Sequence, residues 1–445
     1  MFLIIVLVVC VLFIVLSSTK LKIHSFLALL FAALVFGLLT GMPLTDIVQS
    51  LNTGFGNTLG YIGIVIVAGT IIGVFLEMSG GAYTLADWIL RIIGQKHVPL
   101  AMGLIGWFVS IPVFADSGFV ILSPLNKALS KRAKISLAGP AIALSLGLTT
   151  THCLVPPTPG PIAAAGILQA NLGLVILLGL PVSFIALIAG WYFATRFASK
   201  VPLDANPELT EEEIATKMKE APSPAKALIP ILLPIILIVL KSVSDFPSNP
   251  LGTGYVKSLF DFIGEPTVAL LVGVLIAFLL PRKREAGIYS ETGWVGKALL
   301  SASTIILITG AGGAFGKVLQ NSDLADYIGT GLSKVSIGIW LPFIIAATIK
   351  TAQGSSTVAI ITTSSIIAPL LPALGFSSEI GRSMMVLAVG AGAMVVSHAN
   401  DSFFWVVTQM SKMDIKTGYK LHTLGTFIIG ITAGFTLWIL SFFLI

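Results

Sequence analysis

Residues 149–161 read TTTHCLVPPTPGP, with four prolines between 156 and 161. Each proline lacks an N–H and clashes with the preceding turn, so no helix continues through this run. The flanks nevertheless read as helix in an apolar medium: ISLAGPAIALSLGL at 135–148 and IAAAGIL at 162–168. A spanning helix needs about 20 largely apolar residues, and 135–170 supplies that length only across the break. Irregular backbone at membrane depth is tolerated only where protein buries it or water reaches it. The stretch therefore predicts a discontinuous helix inside a polytopic membrane protein.

The rest of the chain agrees. Of its 445 residues 56% are hydrophobic and 10% are charged, and the mean hydropathy is +0.98. Soluble domains carry about 25% charged residues, so this chain has too few to cover a water-facing surface. A soluble enzyme, a nucleic-acid binder and a disordered protein are excluded. Cys10 and Cys153 both lie in apolar segments, and no disulfide framework is expected. No HExxH or GxSxG motif or paired-carboxylate constellation is present, which disfavours an intramembrane enzyme. Gly310–Gly313 with Lys317 lacks phosphate-loop spacing and reads instead as close helix packing.

Ten stretches qualify as spans: 2–18, 23–40, 58–77, 135–170 (interrupted), 172–195, 226–243, 264–281, 294–318, 380–410 (interrupted) and 422–443. The first has no basic region before it and no small-residue cleavage site after it, so a retained helix is expected. Two more, 98–126 and 335–374, are broken near their middles. Basic residues then set the sides. Lys20 and Lys22 place the N-terminus outside. Lys96, Lys127, Lys131, Arg132 and Lys134 flank both ends of 98–126, which suits a re-entrant hairpin and not a crossing. Arg196, Lys200, Arg282-Lys283-Arg284, Lys412, Lys416 and Lys420 then fall inside, and the C-terminus falls outside. The expected organisation is a first half at 1–197, a cytoplasmic linker at 198–225 carrying Glu211-Glu212-Glu213 and Lys217, and a second half at 226–445. The loop at 244–262 falls outside.

The halves resemble each other. Leu85–Ile89 matches Leu324–Ile328, Ser123-Pro124-Leu125 matches Ala368-Pro369-Leu370, and Thr151-His152 matches Ser397-His398. The loops that follow carry opposite charge. NKALSKRAK at 126–134 is basic where LPALGFSSE at 371–379 has no basic residue; ANLG at 170–173 is neutral where SKMDIKTGYK at 411–420 is basic. That is the signature of inverted-topology repeats, which place a substrate site at mid-membrane among broken helices. The expected fold is all-α: two such repeats, each with a re-entrant hairpin and a broken helix, about ten spans plus two hairpins.

Four polar breaks result: Ala115–Gly118, Thr149–Pro161, Gln353–Thr357 and Ser397–Ser402. Each precedes an apolar segment, so each offers a helix N-terminus with unpaired N–H groups and partial positive charge, suited to an anion. Asp116 is the leading proton carrier, because ionising it at depth costs about 2.5–3.5 kcal/mol; capping the second hairpin arm is its alternative role. Asp401 is the second proton candidate or a cap, and Lys350 is a charge partner for Asp116 or the ligand, or one member of a purely structural ion pair. His152 and His398 suit titration near neutral pH or backbone hydrogen bonding, and no metal-ligand spacing joins them. Glu77, Asp87 and Glu265 read as interfacial or capping residues. The substrate candidates are Ser117, Gly118, Thr151, His152, Gly354, Ser355, Ser356, Thr357, His398 and Asn400.

GFVILSPL at 118–125, THCLVPPTPGPIAAAGIL at 151–168, GSSTVAIIT at 354–362 and SHANDSFFW at 397–405 resemble the signature segments of the gluconate permease family, the gluconate:proton symporters. The likeness covers nearly the whole chain, including GMPL at 41–44. It implies uptake of a sugar acid with protons across a bacterial inner membrane, with no cofactor, by a transport domain that moves against a fixed scaffold. It also suggests a homodimer through scaffold helices. Asp116-Ser117 replaces the Glu and bulkier neighbours of gluconate carriers, and the family includes glycerate-like and D-serine-like carriers, so ligand size stays open. Sodium coupling, a passive organic-anion channel and a membrane enzyme are the rival expectations.

Overall fold

The computed structural model describes residues 2–94, 97–205, 221–245, 254–282, 287–322 and 338–445, and these are helical with no strand among them. Lys96, Glu211–Glu213, Lys217, Lys283, Arg284 and the repeat match at Leu324–Ile328 lie outside the described residues.

The first half runs α1 (Phe2–Thr19), α2 (Ser25–Leu39), α3 (Leu44–Met78), α4 (Gly81–Ile93), α5 (Val98–Val109), α6 (Ala115–Arg132), α7 (Ala138–Leu154), α8 (Pro159–Leu168) and α9 (Leu172–Arg196). After α10 (Pro224–Ser244), α11 (Tyr255–Ile263) and α12 (Pro266–Ala277) come α13 (Trp294–Gln320), α14 (Trp340–Gln353), α15 (Ser356–Ile367), α16 (Glu379–Met394), α17 (Ser402–Met410) and α18 (Leu424–Leu444).

Among the described residues six helices are long and apolar enough to cross a membrane, or seven if the pair α11–α12, bent by 65°, is one span. The sequence expectation of ten also included α1, α2 and 380–410. The 15 residues of α2 rise only about 22 Å, short of a ~30 Å hydrocarbon core. The stretch 379–410 is interrupted by non-helical backbone at Val395–Asp401, leaving helices of 16 and 9 residues. α3 begins well before the expected position 58. The amphipathic α4, with its exposed Asp87–Arg91 pair at 2.8 Å, has no apolar run to announce it.

The broken helix α7–α8 forms the centre. Of its most apolar window 94% is buried by protein, against 28% for the segment ending in α18. Close backbone approach makes this possible. A Cβ on Gly147 would lie 2.1 Å from the carbonyl oxygen of Gly103, which seats α7 on α5. The α3–α13 crossing is reciprocal: a Cβ on Gly54 would lie 2.5 Å from Gly313 O, and one on Gly313 2.7 Å from Gly54 O. This is the small-residue packing expected for the 310–313 run. Gly147→Val forces α5 and α7 apart and costs about 1–3 kcal/mol or more; a lowered thermal midpoint of the detergent-purified protein measures it.

Element contacts recur between halves. α5 packs on α7 as α14 packs on α16, and α7 packs on α9 as α16 packs on α18. Across the halves α8 packs on α15 and α17 on α6. These contacts gather the broken segments into the interior.

Candidate functional site

Each break has a local cause. The first, Ser110–Phe114, ends α5, and α6 starts at Ala115 with Phe114 in the N-cap position and no side-chain cap. Asp116 therefore sits in the first turn, where the helix dipole favours a carboxylate, and is not spent on capping. It is exposed to the cavity described below, and has no hydrogen-bond or salt-bridge partner among the described residues. The neighbouring Ser117 hydroxyl lies near the Glu77 carboxylate at the end of α3. Glu77 thus sits beside the first break, beyond the interfacial or capping part expected of it.

At the second break α7 stops at Leu154, and α8 starts at Pro159 after the cis Pro156–Pro157 bond. Thr151 Oγ1 donates to Trp107 O at 2.6 Å. His152 and Cys153 face the cavity, and His152 Nδ1 has no hydrogen-bond partner among the described residues.

The third and fourth breaks interlock. Gly354 ends α14 at φ +90°, a conformation that favours glycine, and a Cβ there would lie 2.1 Å from Asn400 O. Ser355 caps α15 by accepting from Val358 N–H at 3.3 Å. Asn400 Nδ2 donates to Thr351 O at 2.9 Å and Ala352 O at 3.0 Å, and His398 Nε2 donates to Thr351 O at 2.8 Å. Both side chains cover the open carbonyl end of α14. Asp401 caps α17, with Oδ1 accepting from Phe403 N–H at 3.0 Å.

Lys350 joins the two breaks. It is 2% exposed and Asp401 is 6% exposed. Lys350 Nζ donates to Asp401 Oδ2 at 2.5 Å and also to Gly354 O. Ser397 Oγ donates to the same Oδ2 at 2.5 Å.

Residues from all four breaks line one cavity of about 250 Å³. Asp116, His152, Lys350, Gly354, Ser355, Ser356, Thr357, Asn400 and Asp401 of the expected set line it. Ser117, Gly118, Thr151 and His398 are not among the lining residues. Gln353 and Ser397 line the cavity too; the sequence placed both in polar breaks but not among the substrate candidates. Gln353 Nε2, like His152 Nδ1, is buried with no partner among the described residues. The first turns of α6, α15 and α17 all border the space, so three partial positive charges meet there. Lys350 and Asp401 cancel, which leaves Asp116 as the one unbalanced formal charge among the lining residues. The volume is below the ~300–1,000 Å³ of drug-sized pockets and suits a small molecule. A second cavity, of about 450 Å³, lies between the ends of α8, α10 and α12; there Lys241 pairs with Asp245 at 3.0 Å and Glu265 at 3.7 Å.

Comparison with known proteins completes the picture. The GntP family permease model matches residues 1–443. The chain is 36% identical over 410 residues to a gluconate permease of Pseudomonas aeruginosa, covering 91% of this chain and 90% of that one. It is 33% identical over 439 residues to the D-serine transporter DsdX of Escherichia coli, covering 98% and 97%. Among solved structures it resembles MtrF of Neisseria gonorrhoeae, with a TM-score of 0.64 at 18% identity, covering 89% of this chain and 84% of that one. The chain is a multi-pass membrane permease and not an enzyme, and it belongs to the GntP permease family.

Proposed function

We propose that this permease is a secondary active transporter that imports a small hydroxylated carboxylate, gluconate-like or smaller, together with protons. One observation carries the reading: polar residues from four separate helix breaks surround one small cavity that holds three helix N-termini and a buried ion pair. Helix N-termini favour an anion, while hydroxyl, amide and imidazole groups suit a hydroxylated one. The names of the gluconate and D-serine relatives support the substrate class.

Asp116 supplies the coupling. An ionised Asp116 repels an anion in the same cavity, and a protonated one leaves the loaded site without excess negative charge. Acid and proton therefore bind together, and the balanced domain crosses the membrane interior at lower cost. Sodium coupling is the rival within this reading, and replacing sodium with choline at fixed pH separates the two.

The architecture we infer is a pair of inverted repeats, 1–197 and 226–445, joined by the linker 198–225. In support, the contacting pairs α5–α7 and α14–α16, and also α8–α15 and α17–α6, are those that a two-fold relation between the halves would exchange. The hairpins α5–α6 and α14–α15 move with the broken helices as the transport body, against a scaffold in which α3 crosses α13, by an elevator-type cycle. The chain resides in a bacterial inner membrane with both termini outside and dimerises through scaffold helices. The test of substrate class is competition by gluconate, glycerate, fructuronate and D-serine against labelled gluconate uptake in proteoliposomes. Inhibition by hydroxy acids and not by neutral polyols is expected; no competition by any acid overturns the reading.

A further inference from the structure

His422 belongs to none of the four breaks, yet it is 0% exposed and lies within hydrogen-bond reach of the fourth break and of the body of α7. It sits in Tyr419–Thr423, a wide turn with i→i+5 bonds immediately before α18. Such turns are rare and often accompany functional sites. Its Nε2 is 3.1 Å from Ser397 Oγ, and its Nδ1 is 3.3 Å from Ser145 Oγ on α7. Ser397 in turn touches Asp401, and Asp401 touches Lys350. An unbroken chain of polar contacts therefore runs from α7 in the first half to the ion pair in the second.

The hydrogens in this chain can be assigned. Asp401, ionised opposite Lys350, only accepts, so the single Ser397 hydroxyl hydrogen points to it. The Ser397 oxygen must then accept from His422, which places a hydrogen on Nε2 and leaves Nδ1 to accept from the Ser145 hydroxyl, at 3.3 Å, in place of that hydroxyl's other acceptor, Ile142 O at 2.9 Å. The same segment also holds the Ser397 backbone: Thr423 Oγ1 donates to Ser397 O at 2.5 Å, and Ser397 N–H donates to Thr426 Oγ1 at 3.1 Å. The rings of Phe403 and Phe404 lie 5.5 and 6.2 Å from the imidazole. Ser397 therefore has a fixed position and, through His422, a fixed hydroxyl direction.

We propose that His422 is a positioning residue for acid binding: as the Nε2–H imidazole it orients the Ser397 hydroxyl onto Asp401 and so holds Asp401 against Lys350 at the cavity wall. This rests on the transport reading above. The imidazole does not itself line the cavity; it stands behind Ser397 and Phe403, which do, and its one hydrogen bond to the lining goes to Ser397. Its contact with Ser145 ties the pair's geometry to α7, so a shift between the halves reaches the binding site.

The test uses the full chain in proteoliposomes with labelled gluconate as the probe, and compares His422→Gln, His422→Leu, Ser397→Ala and the Leu/Ala double variant. Glutamine keeps a donor where Nε2 stood and should stay within about threefold of the parent KM, the scatter of independent effects. Leucine or the Ser397 change removes a hydrogen bond to a charged network and should raise KM about tenfold or more with little change in Vmax. The double variant should be no worse than either single one. Leucine behaving like glutamine, or additive effects, overturns the proposal. If the leucine variant does not fold, a second readout decides: the ¹⁵N-histidine spectrum of the parent protein in detergent. An Nε2–H imidazole signal that is lost in His422→Gln and shifted in Ser397→Ala supports the proposal, and an Nδ1–H signal from this residue overturns it. If the parent takes up no gluconate while the Nε2–H signal is present, the transport reading fails, and the binding role with it, although the hydrogen-bond chain stands.

Discussion

Asp116→Asn should bind and exchange the substrate acid yet fail to accumulate it. Asparagine matches aspartate in shape, so the cavity wall and the first turn of α6 stay as they are, and no cap is lost because Asp116 caps nothing. What disappears is the one unbalanced titratable charge among the lining residues. A pH difference of one unit stores about 1.4 kcal/mol per proton and supports about a tenfold concentration ratio. With one unit imposed across proteoliposomes, the parent should accumulate labelled acid about tenfold, while the variant only equilibrates. Equilibrium exchange should persist in both. The pH dependence has a definite sign. Binding to the parent weakens as pH rises and Asp116 loses its proton, whereas the asparagine variant, permanently neutral there, shows a flat profile. Undiminished accumulation by Asp116→Asn at every pH removes the residue from coupling.

The largest effect on stability is expected at the Lys350–Asp401 pair. Removing one partner of a buried ion pair strands the other charge and typically costs about 3–5 kcal/mol. Lys350→Met alone should therefore fold poorly and transport nothing. Lys350→Met combined with Asp401→Asn removes both charges together. Asparagine still caps α17, and methionine preserves much of the lysine stem. The double variant should recover most of the lost thermal stability in detergent, since replacing both members of such a pair is often neutral. Transport should stay lost, because the charge pattern of the cavity has changed. Full recovery of uptake would show that the pair is structural only.

Much of the site was legible in the sequence because its signals are local. Four prolines stop α7 whatever surrounds them, and Gly354 and Asp401 announce a helix end and a helix start. Lone ionisable groups in apolar sequence pointed to Asp116, Lys350 and Asp401, and all three line the cavity. What stayed hidden depends on contacts distant in sequence. Nothing in the chain says that Thr151 spends its hydroxyl on Trp107, or that His398 and Asn400 cover the end of α14. Glu77 looked like an interfacial residue until the first break was found packed beside it. His422 gave no signal at all. It opens an expected span, and its partners Ser145 and Ser397 lie 277 and 25 positions away. Among the described residues six or seven helices reach spanning length where ten were expected, in part for a related reason: apolar length is readable, but the seven-residue break that splits 379–410 shortens both of its helices.

The central claim, that the four breaks together form the substrate site, is tested most directly by substrate protection. With Cys10 and Cys153 replaced by serine, Thr357→Cys and Ser402→Cys each put a thiol on the cavity wall, at the third and fourth breaks. The rate of maleimide labelling is then measured with and without saturating gluconate. The account predicts that gluconate slows labelling at both positions and leaves a thiol at Ser242, in the second cavity, unaffected. Equal labelling rates at Thr357→Cys and Ser402→Cys with and without the acid, in protein that still takes it up, would contradict it.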